Sequence, residues 1–337
     1  MTTRTRYFVF GSLLVLTVGV ATGLVAYYTG FSTSAFTSAG GPDELKYLPR
    51  NANLVAYSNV RDVMTSGLRE RLRQILPNQP NGQQEFQNET GINIEADIDL
   101  VVAALAPQSG GPEAFPATGL VLARGRFDQV KIEALMREHG ATVDEYKGIR
   151  LITGPTSAAN TAGAANAVSL AFVEPGLVAL GSTFLVRNAI DLKAGGDNVT
   201  ANEELMNLVR SLENGNSWAV GRFDAIASQA KLPSGLAERL PPITWFSATT
   251  QIDTGVSGVL RVEARDETAA NNLRDVVRGF LALAKLEVGQ RPELQAMVQS
   301  LQLGGTGTTV SLSFNLPGDL FDLLGNLANG TIAPKSL

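Results

Sequence analysis

Histidine and cysteine, the side chains most often used for acid–base, nucleophilic and soft-metal chemistry, are scarce in this chain. The only histidine is His139 and there is no cysteine. His139 stands beside Gly140 at the close of a helix-spaced segment. A cation there is favoured by the helix dipole, so a terminal-turn role is expected. General-base chemistry would need an orienting partner, and none is close in sequence. One His and no Cys also exclude zinc and other soft-ligand metals. Glu95, Asp97 and Asp99 alternate with Ile94, Ala96, Ile98 and Leu100. In a strand, that spacing puts the three carboxylates on one face, where a hard cation such as calcium could sit. No Asp-x-Asp-x-Asp-Gly loop follows, so a solvated strand face is the expected reading.

Ser228 and Lys231 match the Ser-x-x-Lys pattern of penicillin-recognising enzymes, but the chain has no Lys-Thr-Gly strand to complete it. A Gly-x-Ser-x-Gly elbow and a Gly-Lys-Ser/Thr phosphate loop are also missing. Gly304, Gly305 and Gly307 precede an apolar strand instead of joining a strand to a helix, which reads as a turn and not a dinucleotide site. Trp218 and Trp245 fall in apolar strands and are expected in the core. The Asn-x-Thr triplets at Asn88, Asn198 and Asn329 would matter only in a glycosylating cell. The chain is therefore expected to have no catalytic, cofactor-binding or metal-binding residues and to need no cofactor.

The elements that would position these residues alternate between periods of 2 and 3.6. Strands are expected at 53–60, 99–105, 118–124, 141–146, 149–153, 168–174, 177–181, 217–223, 244–253, 255–264 and 308–316. Helices are expected at 61–76, 130–139, 183–192, 266–286, 291–301 and 319–327, and Thr200 with Glu203 reads as a capping box for one more, ending at Leu212. Lys147-Gly148 and Pro175-Gly176 mark tight turns. The low-complexity stretch 154–167 reads as a flexible excursion. A strand, an Arg/Asp-bearing corner and a helix recur at Ser58, Gly125, Gly221 and Glu263. The expected fold class is α+β: two related, mostly antiparallel halves, 48–214 and 215–330, each packing helices on one face of its sheet. Asp is a favoured N-cap, which would produce the same corner for local reasons.

Residues Tyr7 to Tyr28 form an uncharged run that follows Arg4 and Arg6. A helix of about 20 apolar residues crosses the roughly 30 Å hydrocarbon layer, so 7–28 is expected to be a transmembrane helix. Basic residues on its N-terminal side alone leave the start of the chain in the cytoplasm and carry the rest across. The run is too long for a typical cleaved signal core, although Thr37-Ser38-Ala39 offers a cleavage site. Tyr7, Phe8, Phe10, Tyr27 and Tyr28 suit the two interfaces, and Gly19 and Gly23 form a small-xxx-small pair through which a second helix could dock. Residues 29–47 would be a juxtamembrane tether. With 27 basic against 32 acidic residues and no basic run, no nucleic-acid partner is expected.

The segment Leu48 to Leu72, LPRNANLVAYSNVRDVMTSGLRERL, resembles the opening of a group of bacterial exported or membrane-anchored proteins that carry a domain of unknown function. The resemblance implies an extracytoplasmic α+β protein with repeated halves and brings no catalytic residues. The expected role is that of a single-pass protein of the inner membrane, its folded part on the periplasmic side, acting as a binding or scaffolding protein of the cell envelope. Two other readings stay open: an accessory subunit of a membrane complex, and a carboxylate- or Ser-Lys-dependent envelope hydrolase.

Overall fold

The computed structural model describes residues 41–75, 87, 92–107, 118–154, 167–223, 241–288 and 292–321. The run expected at 7–28, residues 29–40 of the tether, residues 155–166, and Ser228 with Lys231 lie outside the described residues, as do Asn88 and Asn329. Among the described residues, no helix is long and apolar enough to cross a membrane.

A 3-10 turn at Asp43–Tyr47 leads into β1 (Leu54–Asn59), α1 (Val60–Met64), α2 (Gly67–Ile75), α3 (Ile94–Asp97), β2 (Ile98–Ala106), β3 (Thr118–Gly125) and α4 (Gln129–Glu138). Next come β4 (Thr142–Tyr146), β5 (Ile149–Thr153), β6 (Val168–Glu174), β7 (Leu177–Ser182), α5 (Thr183–Lys193), a 3-10 turn at Val199–Ala201, and α6 (Glu203–Arg210). The remainder is β8 (Ser217–Arg222), β9 (Ile243–Ile252), β10 (Val256–Ala264), α7 (Glu267–Val288), α8 (Pro292–Ser300), β11 (Gln302–Gly304) and β12 (Thr309–Leu316).

The strands form one twelve-stranded sheet in the order β11-β12-β10-β9-β8-β1-β2-β3-β7-β6-β5-β4. The protein is thus of the α+β class, with a large antiparallel sheet. Strands β1 and β8 lie side by side at the seam, with Tyr57 opposite Trp218. From that seam the chain runs outward in two similar paths. Three strands meander away (β1-β2-β3 and β8-β9-β10), a helical crossover follows, and a second meander returns so that its last strand, β7 or β12, docks beside the third.

The first path has both of its sheet faces covered, where helices on one face were expected. Val55, Val102, Leu120, Leu122, Leu151 and Ala179 pack with Leu45 and Tyr47, with Leu185 and Ile190 of α5, and with Leu205 of α6. The alternate residues Val101, Ile152, Leu170 and Val178 pack with Ile132 of α4 on the other side. The reason lies in β2 and β6: IDLVVAALA and VSLAFVE are nearly continuously apolar, so water is unfavourable on either face. The second path differs. Val262 and Val310 pack with α7, and Phe246 shares their face as the partner of Val262, whereas Ser257, Arg261, Glu263, Ser311 and Ser313 share the opposite face through their cross-strand pairing.

Several local expectations are corrected. Residues 43–47, assigned to the tether, fold as a 3-10 turn in which Leu45 and Tyr47 are fully buried. The helix expected at 61–76 is divided at Thr65-Ser66, where the Ser66 hydroxyl accepts from the Arg69 backbone N–H at 3.2 Å. β11 was not anticipated, because three residues are too few to display alternation. The cap of α6 is Asn202, whose Oδ1 accepts from the Leu205 N–H at 3.2 Å. Thr200 instead belongs to the preceding 3-10 turn, and its N–H donates to Asn198. Asn202→Ala is therefore expected to lower stability by about 1 kcal/mol. Thr200→Ala should change it by less than about half of that, and urea unfolding followed by circular dichroism compares the two.

The expected turns are present. Lys147 and Gly148 both take positive φ, 51° and 78°, which is the geometry of a two-residue hairpin between β4 and β5.

Candidate functional site

The residues with chemical potential are engaged separately by the fold. His139 is the C-cap of α4, and its Nδ1 lies 2.8 Å from the Leu135 carbonyl oxygen at the surface. The three carboxylates do not share a strand face, since Glu95 and Asp97 belong to the short α3 and β2 begins only after them. Asn93 caps that helical turn through the Ala96 N–H, so the local cap overrides the alternation seen in sequence. Glu95 pairs with Arg69 and Asp99 with Arg61, and the Asp97 carboxylate accepts from the Asn93 N–H at 2.7 Å. Each therefore anchors a different part of the chain. Gly305 and Gly307, with φ of 89° and 57°, turn the chain between β11 and β12. Asn198 caps the 3-10 turn at 199–201 and bridges to Pro49.

The two tryptophans have different surroundings. Trp218 is buried and stacks on Tyr57, with ring centroids 5.6 Å apart and planes 19° apart. Trp245 is only partly buried, which corrects the core assignment. Its Nε1 donates to Glu204 at 3.1 Å, and the Arg222 guanidinium lies 5.9 Å from its ring. Its cross-strand neighbours are charged, Arg222 of β8 on one side and Glu263 of β10 on the other.

A partly buried ionic cluster fastens the first described segment to the sheet. Arg124 of β3 pairs through Nε with Glu44 and through a terminal nitrogen with Glu174 of β6 at 2.6 Å. The Tyr47 hydroxyl donates to the second oxygen of Glu174 at 2.6 Å. Glu44 is only 3% exposed, and Arg124 is the cation that faces it. The hydrogen bond from Tyr47, then those from Arg124, hold the Glu174 carboxyl below the usual carboxylate range. Burial, reinforced by Glu174, pushes the Tyr47 hydroxyl well above the usual tyrosine range. The partners are 50 to 127 positions apart, so no local sequence pattern announces the cluster. With every group spoken for, it works as a clamp.

A shallow surface hollow between Arg50, Asn51, Ala201, Asn202 and Glu203 is likewise structural. Arg50 reaches Asp197 at 2.8 Å, Glu203 pairs with Arg210 at 2.9 Å, and the Asn202 amide donates to the Arg50 carbonyl at 3.1 Å while its oxygen caps α6.

Helix α7 differs from these in that apolar groups are left facing water. Its base is bedded on the sheet through Ala269, Ala270 and Leu273, with Val277 beside them. Further along, Phe280 is 55% exposed, Leu283 61% and Leu286 77%. Three large apolar side chains within two turns form the kind of contiguous patch that marks an interaction surface. The sequence did carry a signal: GFLALAKL at 279–286 has more apolar residues than one sheet-facing stripe needs.

No protein-family model matches the chain, and no curated protein matches it. Among solved structures, a crystal form of TP0453 is similar, with 9% identity and a TM-score of 0.50 over 84% of this chain and 97% of that one. At so low an identity the likeness is one of fold.

Proposed function

We propose that this protein is a membrane-anchored, extracytoplasmic binding or scaffolding protein of the bacterial cell envelope, acting without catalysis. The exposed apolar side chains of α7 carry this reading, because large apolar groups left in water along one helix suit contact with a partner. Support also comes from the uncharged run at 7–28 with Arg4 and Arg6 before it, and from the resemblance at Leu48–Leu72. Residues 7–28 would hold the chain in the inner membrane, with the folded part on the periplasmic side, and Gly19 and Gly23 would offer a helix-docking face. The two chain paths, 48–214 and 215–330, are read as copies of one unit. The same order of three strands, a crossover and a returning meander supports this, and the Arg/Asp corners after β1 and β8, and after β3 and β10, fall at matching places.

Reporter fusions test the placement. Alkaline phosphatase joined after Leu337 should be active in intact cells, while a green fluorescent protein exported unfolded through the same junction should stay dark. The reverse pattern would place the folded part in the cytosol and sink the proposal.

A further inference from the structure

The connection from α6 to the seam strand β8 carries a residue pair whose chemistry the fold leaves open. Asn214 and Gly215 lie in it, between Ser211, the C-cap of α6, and Ser217, which begins β8. Asn214 is exposed. Among the described residues, neither its carboxamide nor the Gly215 N–H takes part in a hydrogen bond. Glycine at 215 is imposed by tertiary packing: a Cβ there would lie 2.5 Å from Thr249 Cγ2 and 2.6 Å from the Thr250 carbonyl oxygen, and both threonines are buried. Any other residue type would force β9 aside. Glycine also leaves its own backbone nitrogen unshielded, because no Cβ stands beside it. Two further Asn-Gly pairs, at Asn81 and Asn329, lie outside the described residues.

We infer that Asn214 is a site of spontaneous covalent modification, deamidating through a succinimide that it forms with Gly215. Asn is a thermolabile residue type. The Gly215 nitrogen gives its proton to hydroxide and attacks Asn214 Cγ. The new N–Cγ bond forms as the Cγ–Nδ2 bond breaks, and Nδ2 leaves with the bonding pair, taking a proton from water to depart as ammonia. Water then opens the ring. Cleavage of the N–Cγ bond leaves an ordinary aspartate at 214, whereas cleavage of the original peptide C–N bond leaves an isoaspartate, in which the main chain runs through Cβ and Cγ. In sum, water replaces ammonia.

The isoaspartate product adds one backbone atom between two fixed points. On one side Glu213 pairs with Arg261 of β10, which also donates to the Ser211 carbonyl at 3.2 Å. On the other, Asn216 is 3% exposed, its side chain bonds both backbone groups of Ile252, and its carbonyl accepts from the Asn59 N–H at 2.7 Å. The Glu213 side chain is 55% exposed, and an exposed ion pair holds less firmly than a set of buried hydrogen bonds. The added length is therefore taken up at Glu213 and the end of α6, and β8 keeps its register at the seam.

The full-length protein, purified in detergent, is aged in mildly alkaline buffer both native and unfolded in urea, then digested and mapped by mass spectrometry with fragmentation that separates aspartate from isoaspartate. The native peptide containing residue 214 should gain the mass of the ammonia-to-water exchange, with isoaspartate the larger product, at a rate within severalfold of the unfolded chain. Asn214→Gln, whose ring closure would be six-membered and slow, should leave that peptide unchanged. Native Asn214 that stays intact while the unfolded chain converts would overturn the inference, because the fold would then block ring closure. A mass gain that persists in Asn214→Gln would also overturn it, in favour of Asn207 or Asn216. In the aged native protein, amide exchange should quicken severalfold at 211–214 and stay unchanged at 217–222. Quickening at 217–222 instead would show that the seam gives way first and refute the assignment of the slack to α6.

Discussion

Trp218→Ala is expected to cost about 3–5 kcal/mol, the range for emptying a buried aromatic position. Trp218 stands at the seam where β8 meets β1, directly opposite Tyr57, and is 5% exposed. Its stacking on Tyr57 adds about 0.5–1.5 kcal/mol to the burial itself. The site cannot collapse easily. On the neighbouring register position the Ser58 and Ser217 hydroxyls are hydrogen-bonded at 2.8 Å, and just before it the Asn216 side chain bonds both backbone groups of Ile252. Trp245→Ala in the same background should cost under about 1 kcal/mol, since its ring is partly solvated already. Urea unfolding by circular dichroism, with tryptophan emission from each single-Trp protein, makes the comparison. Equal losses would show that the seam is not the anchor described here.

Arg124→Met is expected to be the other severe change, at about 3 kcal/mol, because it leaves the buried Glu44 without its cation. Adding Glu44→Gln should recover part of the loss, and a double-mutant cycle on the unfolding free energy measures the coupling. The same clamp has a pH window. Glu174 is held below its unfolded value of about 4.3, so its contribution is present above that pH and disappears as pH falls through the folded value. Tyr47 is raised above its unfolded value of about 10, so its contribution is present below that pH and is lost as pH rises further. Glu174→Gln should flatten the acid limb of a stability–pH profile, and Tyr47→Phe should flatten the alkaline limb. A profile unchanged by both would remove the clamp as a stabilising element.

Much of the fold could be read from the residues because each strand and helix advertises its period locally. The hairpin at Lys147-Gly148 and the cap at Asp266, which accepts from the Ala269 N–H at 2.8 Å, depend only on neighbours in sequence. Structure and local pattern part where two local signals compete. Glu95 and Asp97 alternate like strand residues, yet Asn93 caps a helical turn through them. Thr200 and Glu203 have capping-box spacing, yet Asn202 sits nearer the helix and takes the cap.

By itself, the sequence determined the α+β composition, the scarcity of histidine and cysteine, and most element positions, since these follow from residue types and short spacings. Only the tertiary structure decided that the two chain paths join in a single sheet through β1 and β8, that Glu44, Tyr47, Arg124 and Glu174 meet, and that α7 outruns the sheet beneath it. Those outcomes depend on which distant strands pair and on how far a helix extends past its packing partner. Contacts of that kind are set by burial and hydrogen bonding across the whole chain, and no window of adjacent residues contains them.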